Sequence, residues 1–73
     1  MFDIRDNLKQ MIVNKGLKQS VVAAKSGLTS EQLSNILNRK RKLEAGELFA
    51  ICDTIGTTPE RLLRYSSRYG RDG

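Results

Sequence analysis

Residues 21–37 read VVAAKSGLTSEQLSNIL, two short apolar-striped segments divided at Gly27. In the second segment Thr29 and Gln32 have the spacing of a helix-starting box. The cap hydroxyl takes the N–H of the third helical residue, and that residue's side chain returns to the cap's own N–H. A short helix is therefore expected from Thr29 to about Leu37, with Asn38 as its left-handed close, because Asn tolerates that region. At about 100° per residue, Leu33, Ile36 and Leu37 share one face. Ser30, Glu31, Ser34, Asn35 and Asn38 share the other. An exposed helix face normally carries strong helix formers. Here it carries Ser and Asn, whose side chains compete with the helix for backbone hydrogen bonds. The apolar face needs only packing partners; the polar face needs a reason.

Working outward, the residues before this segment predict a helix over about Gln19 to Ser26, with Val22 and Ala23 inward and Gly27 as its stop. Ala23 falls where the two helices would cross closely, so a larger side chain would part them. Upstream, Ile4, Leu8, Met11 and Ile12 keep the spacing of one buried stripe, which predicts a helix from about Asp3 to Lys15. Asp3 and Asp6 sit near its start, where negative charge is favoured, and Gly16 ends it with Leu17 as the apolar residue beyond. Downstream, Leu48, Ile51, Cys52 and Ile55 form the stripe of a helix from about Ala45 to Ile55, stopped by Gly56. Gly46 weakens its first turn. Thr58 as cap and Pro59 at the first position open a fifth helix, with Leu62 and Leu63 as its apolar face. No strand pattern, internal repeat or low-complexity linker occurs. The expectation is an all-α, compact five-helix bundle over residues 1–65 and a basic, flexible tail over 66–73.

The chain has 73 residues, no His, no Trp and one Cys. That composition leaves no triad, no usual His metal site and no disulfide framework within one chain; no cofactor, no metal and no enzymatic activity are expected. Cys52 reads as a small buried apolar residue. No stretch approaches the roughly 20 apolar residues of a membrane span, and MFDIRD is not a secretory start. A single thiol and no signal fit a reducing, cytoplasmic setting. The net charge of +5 is localised: residues 38–42, NRKRK, carry four basic and no acidic side chains, whereas residues 43–63 carry one basic and four acidic. Such asymmetry suits a polyanion bound at one surface, and it also suits a solvated loop that keeps the protein soluble.

The second and third helices are joined by a short turn containing Gly, as in a helix-turn-helix. From Leu17 to Leu63 the sequence resembles the lambda-repressor-like helix-turn-helix domains of the phage repressor and Cro type. Leu17, Gln19, Ala23, Gly27, Leu33 and Ile36 stand at that family's core and turn positions, and Leu48, Ile51, Ile55, Gly56 and Leu62 match its fourth and fifth helices. Four departures are visible. Ser26 replaces an apolar residue, Arg39 replaces a frequent Gly after the third helix, and Leu43 replaces a common Pro. Ile12 and Leu37 stand where some relatives have an Arg–Glu pair.

The resemblance implies binding to double-stranded DNA, with the third helix in the major groove and the second crossing the backbone. It also implies a reason for the polar face: Ser30, Glu31, Ser34 and Asn35 are short groups suited to base edges. Lys18, Gln19, Asn38, Arg39, Lys40 and Arg41 are the implied phosphate contacts, with Lys42 adding field. The implied function is a sequence-specific transcriptional regulator, a repressor of phage or mobile-element type in the cytoplasm of a bacterial or phage-infected cell. It would bind a two-fold symmetric operator as a homodimer. No DNA-wrapping N-terminal arm is expected, since only Met1 and Phe2 precede the first helix. Leu62, Leu63, Tyr65 and Tyr69 are candidates both for the dimer contact and for completing a small monomer core. The alternative is an antitoxin or other interaction module, binding a protein partner such as a toxin through the acidic stretch Glu44–Glu60.

Overall fold

Gln32 donates its backbone N–H to Thr29 Oγ1 at 3.0 Å, and Thr29 donates its own to Gln32 Oε1 at 2.9 Å, so the third helix starts where its sequence says it should. The computed structural model describes residues 2–65. They form five helices: α1 Ile4–Asn14, α2 Gln19–Lys25, α3 Ser30–Leu37, α4 Ala45–Ile55 and α5 Pro59–Arg64. No strand occurs among the described residues, and the fold is the expected all-α, five-helix one. Among them, too, no helix is long and apolar enough to cross a membrane, and no group of His, Cys, Asp or Glu could hold a metal ion. The tail expected over residues 66–73, and Tyr69 within it, lie outside the described residues.

Each helix carries its own start or stop. Asp3 caps α1 by accepting from Arg5 N–H, and Thr58 caps α5 with Pro59 at its first position. Gly46 does not disturb α4, because Glu47 reaches back to the Glu44 N–H at 3.1 Å and ties down the first turn. Gly16 and Gly27 end α1 and α2 with φ of 69° and 80°. The next residue in each case, Leu17 or Leu28, bonds its N–H to Ile12 or Ala23 of the helix just left. The chain is thereby reversed within two or three residues, which lets α1, α2 and α3 pack closely despite their short length.

The core joins the apolar stripes of all five helices: Leu8, Met11 and Ile12, Val22 and Ala23, Leu33, Ile36 and Leu37, Ile51, Cys52 and Ile55, and Leu62. Ala23 has no exposed surface, as expected of a residue placed where α2 and α3 pack together. Ile4 and Leu48 are only half-buried and pack against this cluster from its edge. Burial pushes the Cys52 thiol up from its ordinary pKa, so it behaves as an unreactive core atom. Ile12 and Leu37 are both buried in this apolar cluster, at the positions where some relatives have an ion pair. Ser26, at an ordinarily apolar position, donates to Thr54 Oγ1 at 3.1 Å, and Thr54 passes the bond on to Ala50 O at 2.9 Å. That chain satisfies both hydroxyls without a charge.

Two expectations are corrected. Asn38 does not take the left-handed conformation; its φ is −103°. Arg39 takes it instead, at 63°. Asn38 serves as a cap through its side chain, donating Nδ2 to Ser34 O at 2.9 Å, and this fixes it one residue before the turn. Arg39 then carries a conformation that costs a non-glycine residue about 1 kcal/mol or more. The second correction concerns α5. Leu62 is fully buried, whereas Leu63 is 53% exposed. The two neighbours point opposite ways, so Leu62 belongs to the monomer core and, of the two, Leu63 is the one left exposed. Asn7 Nδ2 donates to Leu62 O at 2.8 Å and locks that orientation against α1.

Candidate nucleic-acid interface

The exposed face of α3 carries the four residues expected to meet base edges. Ser30 and Glu31 are exposed in its first turn; Ser34 and Asn35 are half-exposed in its last. The side chains of Ser30, Glu31 and Asn35 have no hydrogen-bond partner within the protein among the described residues. Their donors and acceptors face outward unspent, on a helix whose other face is buried at Leu33, Ile36 and Leu37. Ser34 is engaged by Asn38 through its carbonyl and, at 3.4 Å, its hydroxyl. Gln32 spends its side-chain oxygen on the capping box.

The basic loop is drawn onto the end of the same helix. Lys40 and Arg41 both donate their N–H groups to Asn35 O, at 2.7 and 3.1 Å. Ser34, Asn35, Asn38 and Lys40 are thus gathered at one end of α3. The four loop cations then differ in what they meet. Arg39 lies against Asp6 and Asp3. Arg41 Nη2 is 3.0 Å from Glu47 Oε2, and its Nη1 is buried without a partner. Lys42 approaches Glu44 at 3.7 Å, both largely exposed. Lys40 is exposed and has no ion pair among the described residues. Of the expected phosphate contacts, Arg39 and Arg41 would have to leave their carboxylates to reach one, while Lys40 would not.

Lys18 and Gln19 lie at the start of α2. Both are exposed, and Lys18 gives α2 no side-chain cap. Lys9 was not anticipated. Its Nζ sits 3.0 Å from Asn38 Oδ1, which adds an α1 cation beside the end of α3. Only the packing of α1 on α3 brings it there. Asp3 and Asp6, read from sequence solely as favourable charges at a helix start, turn out to face the loop. The one local signal was Arg39 itself, an arginine where a glycine would fold more easily.

These carboxylates make the fold acid-sensitive. Hydrogen bonds from the Arg5 side chain and backbone, helped by the nearby Arg39 charge, lower the Asp3 pKa from 3.8 to about 2. Arg39 lowers that of Asp6, and the Glu44 N–H, then Arg41, lower that of Glu47. Groups with depressed folded pKa values stabilise the protein above their unfolded pKa and lose that contribution as pH falls through the folded value. The thermal midpoint is therefore expected to be level from neutrality to about pH 4.5 and to fall between there and about pH 2. In Asp3→Asn the fall should be shallower. Circular dichroism melts across that range check it, and parallel curves for the two chains would refute the role of Asp3.

Over residues 7–67 the sequence matches the family described as the Cro/C1-type HTH DNA-binding domain. Among solved structures it is similar to a crystal structure described as the hypothetical transcription factor NHTF from Neisseria. The TM-score is 0.76 at 18% identity, over 96% of this chain and 80% of that one. At that identity the likeness speaks for the fold. No curated protein matches significantly.

Proposed function

The chain belongs to the Cro/C1-type helix-turn-helix DNA-binding domain family, and from that membership we propose that it is a sequence-specific transcriptional regulator, a repressor of phage or mobile-element type. It binds a two-fold symmetric duplex as a homodimer in the cytoplasm of a bacterial or phage-infected cell. α3 enters the major groove and presents Ser30, Glu31, Ser34 and Asn35 to base edges, while Lys18, Gln19, Asn38 and Lys40 meet phosphates. Lys9 joins the phosphate set. Arg39 and Arg41 act chiefly on the loop's shape. The observation that carries this reading is the outward-facing, unspent Ser30, Glu31 and Asn35 of α3 beside a Lys40 that has no ion pair among the described residues. A helix face weakened by Ser and Asn is accounted for when those groups have base edges to meet.

The dimer contact falls to Leu63 and its surroundings on α5, since Leu62 is spent in the core. Selection from a random pool of duplexes at near-physiological salt tests the proposal. An enriched motif with two half-sites about 34 Å apart supports it. A flat pool with only salt-sensitive binding refutes sequence readout. The second reading, an antitoxin or similar module, draws on Phe49 of α4, a large apolar side chain left 61% exposed in the otherwise acidic stretch. Co-purification of a specific protein partner that Phe49→Ser releases would favour it.

A further inference from the structure

Four helices of this fold run into a left-handed residue, and three of those residues are glycines: Gly16, Gly27 and Gly56. The fourth is Arg39, at the end of α3. The closing backbone bonds there are of the same kind as at the glycine stops, Arg39 N–H to Ile36 O at 3.1 Å and Lys40 N–H to Asn35 O at 2.7 Å. A glycine would take this conformation freely, so what the arginine adds is its side chain.

That side chain runs back to the start of α1. Its Nε donates to Asp6 Oδ1 at 3.1 Å and lies 3.4 Å from Asp3 Oδ2, and its Nη2 bonds Asp6 Oδ2. Asp3 is itself gripped by Arg5, with Nε to Oδ1 at 3.0 Å and Nη2 to Oδ2 at 2.7 Å. The remaining Arg5 nitrogen, Nη1, donates to Arg41 O at 3.0 Å. The loop is therefore fastened to α1 at two points, by the Arg39 guanidinium on one side of Lys40 and by the Arg41 carbonyl on the other. Lys40 projects between them.

We infer that Asp3, Arg5 and Asp6 are positioning residues for the DNA interface, acting through Arg39 and Arg41 to hold Lys40 at the end of the recognition helix. The inference rests on the proposed function for what Lys40 meets, a phosphate, and goes beyond it in naming what sets Lys40 in place. Fork-shaped guanidinium–carboxylate pairs fix geometry as well as charge. Asp3 and Asp6 together balance Arg5 and Arg39, so Arg39 works by holding the loop, and Lys40, with no ion pair among the described residues, is the cation held between the two fastenings.

The test is Asp6→Asn, because charge and positioning predict opposite signs. Removing a carboxylate near a polyanion tightens binding by electrostatics alone. Release of the loop weakens it, by about fivefold for the freeing of one strained left-handed residue. The selected duplex is the probe, and amide hydrogen exchange at Lys40 in the free protein is the second readout. Weaker binding together with faster Lys40 exchange is expected. Arg39→Gly added to Asp6→Asn should restore both, since glycine holds the turn without a clamp. Unchanged or tighter binding in Asp6→Asn overturns the inference, as does failure of the glycine to rescue. A parent chain that selects no duplex refutes the proposed function and takes the DNA role of the clamp with it. The exchange readout, which needs no DNA, separates that failure from a loop that α1 does not hold.

Discussion

Leu33→Ala is expected to remove most of the stability of this protein. Leu33 has no exposed surface and anchors α3 against the core. Truncating a fully buried leucine costs roughly 3–5 kcal/mol, the spread reflecting how far the neighbours collapse into the cavity. A domain of this size has on the order of 4–10 kcal/mol to lose, at about 0.05–0.15 kcal/mol per residue. Around Leu33 collapse is limited. Ala23 is already small and fully buried, and capping bonds hold both ends of α3. Urea unfolding followed by circular dichroism should show the midpoint falling by half or more with the slope unchanged. A loss below about 1 kcal/mol would mean that α3 is held mainly by its caps and loop.

Asn35→Ala should show the reverse, a functional loss without a structural one. The Asn35 side chain has no partner among the described residues, while its carbonyl, which anchors Lys40 and Arg41, survives the substitution. Alanine is the better helix former by about 0.5 kcal/mol, so stability should hold or rise slightly. If Asn35 reads adenine, discrimination at one base position should fall by about 1–3 kcal/mol, roughly five- to 150-fold. Lys40→Ala supplies the contrast. It should weaken all duplexes alike and reduce the salt slope by about 0.9. Titration of matched and singly mismatched duplexes at two salt concentrations separates the two effects. Equal losses on every duplex for Asn35→Ala would remove it from base readout and leave it a supporting part of the loop.

The polar face that looked uneconomical for a helix was legible in the sequence as an exposed face. A face is a matter of spacing along one helix, and spacing is local. The same holds for the caps at Thr29 and Thr58, the stops at Gly16, Gly27 and Gly56, and the apolar stripes that join in the core. Each is satisfied within a few residues, so the chain carries it whatever the helices later do. Gly46 shows the limit of even that reading: its poor propensity did not disturb α4, because Glu47 supplies a bond that composition does not weigh.

The basic loop was legible as charge and not as geometry. Four cations in NRKRK look alike along the chain, and all were natural candidates for phosphate. The fold sorts them. Arg39 meets carboxylates 33 and 36 residues away and Arg41 meets Glu47 across the turn, while Lys40 has no ion pair among the described residues. Sequence alone determined five helices, most of their caps and stops, most of their buried stripes and the family they resemble, because hydrogen bonds between near neighbours and the periodicity of burial decide those. Only the tertiary structure decided that Arg39 takes the left-handed turn, that Leu62 points in and Leu63 out, and which cations of the loop meet carboxylates. A charge or a leucine contributes according to what it faces, and that is settled when apolar burial brings α1 against α3 and α5.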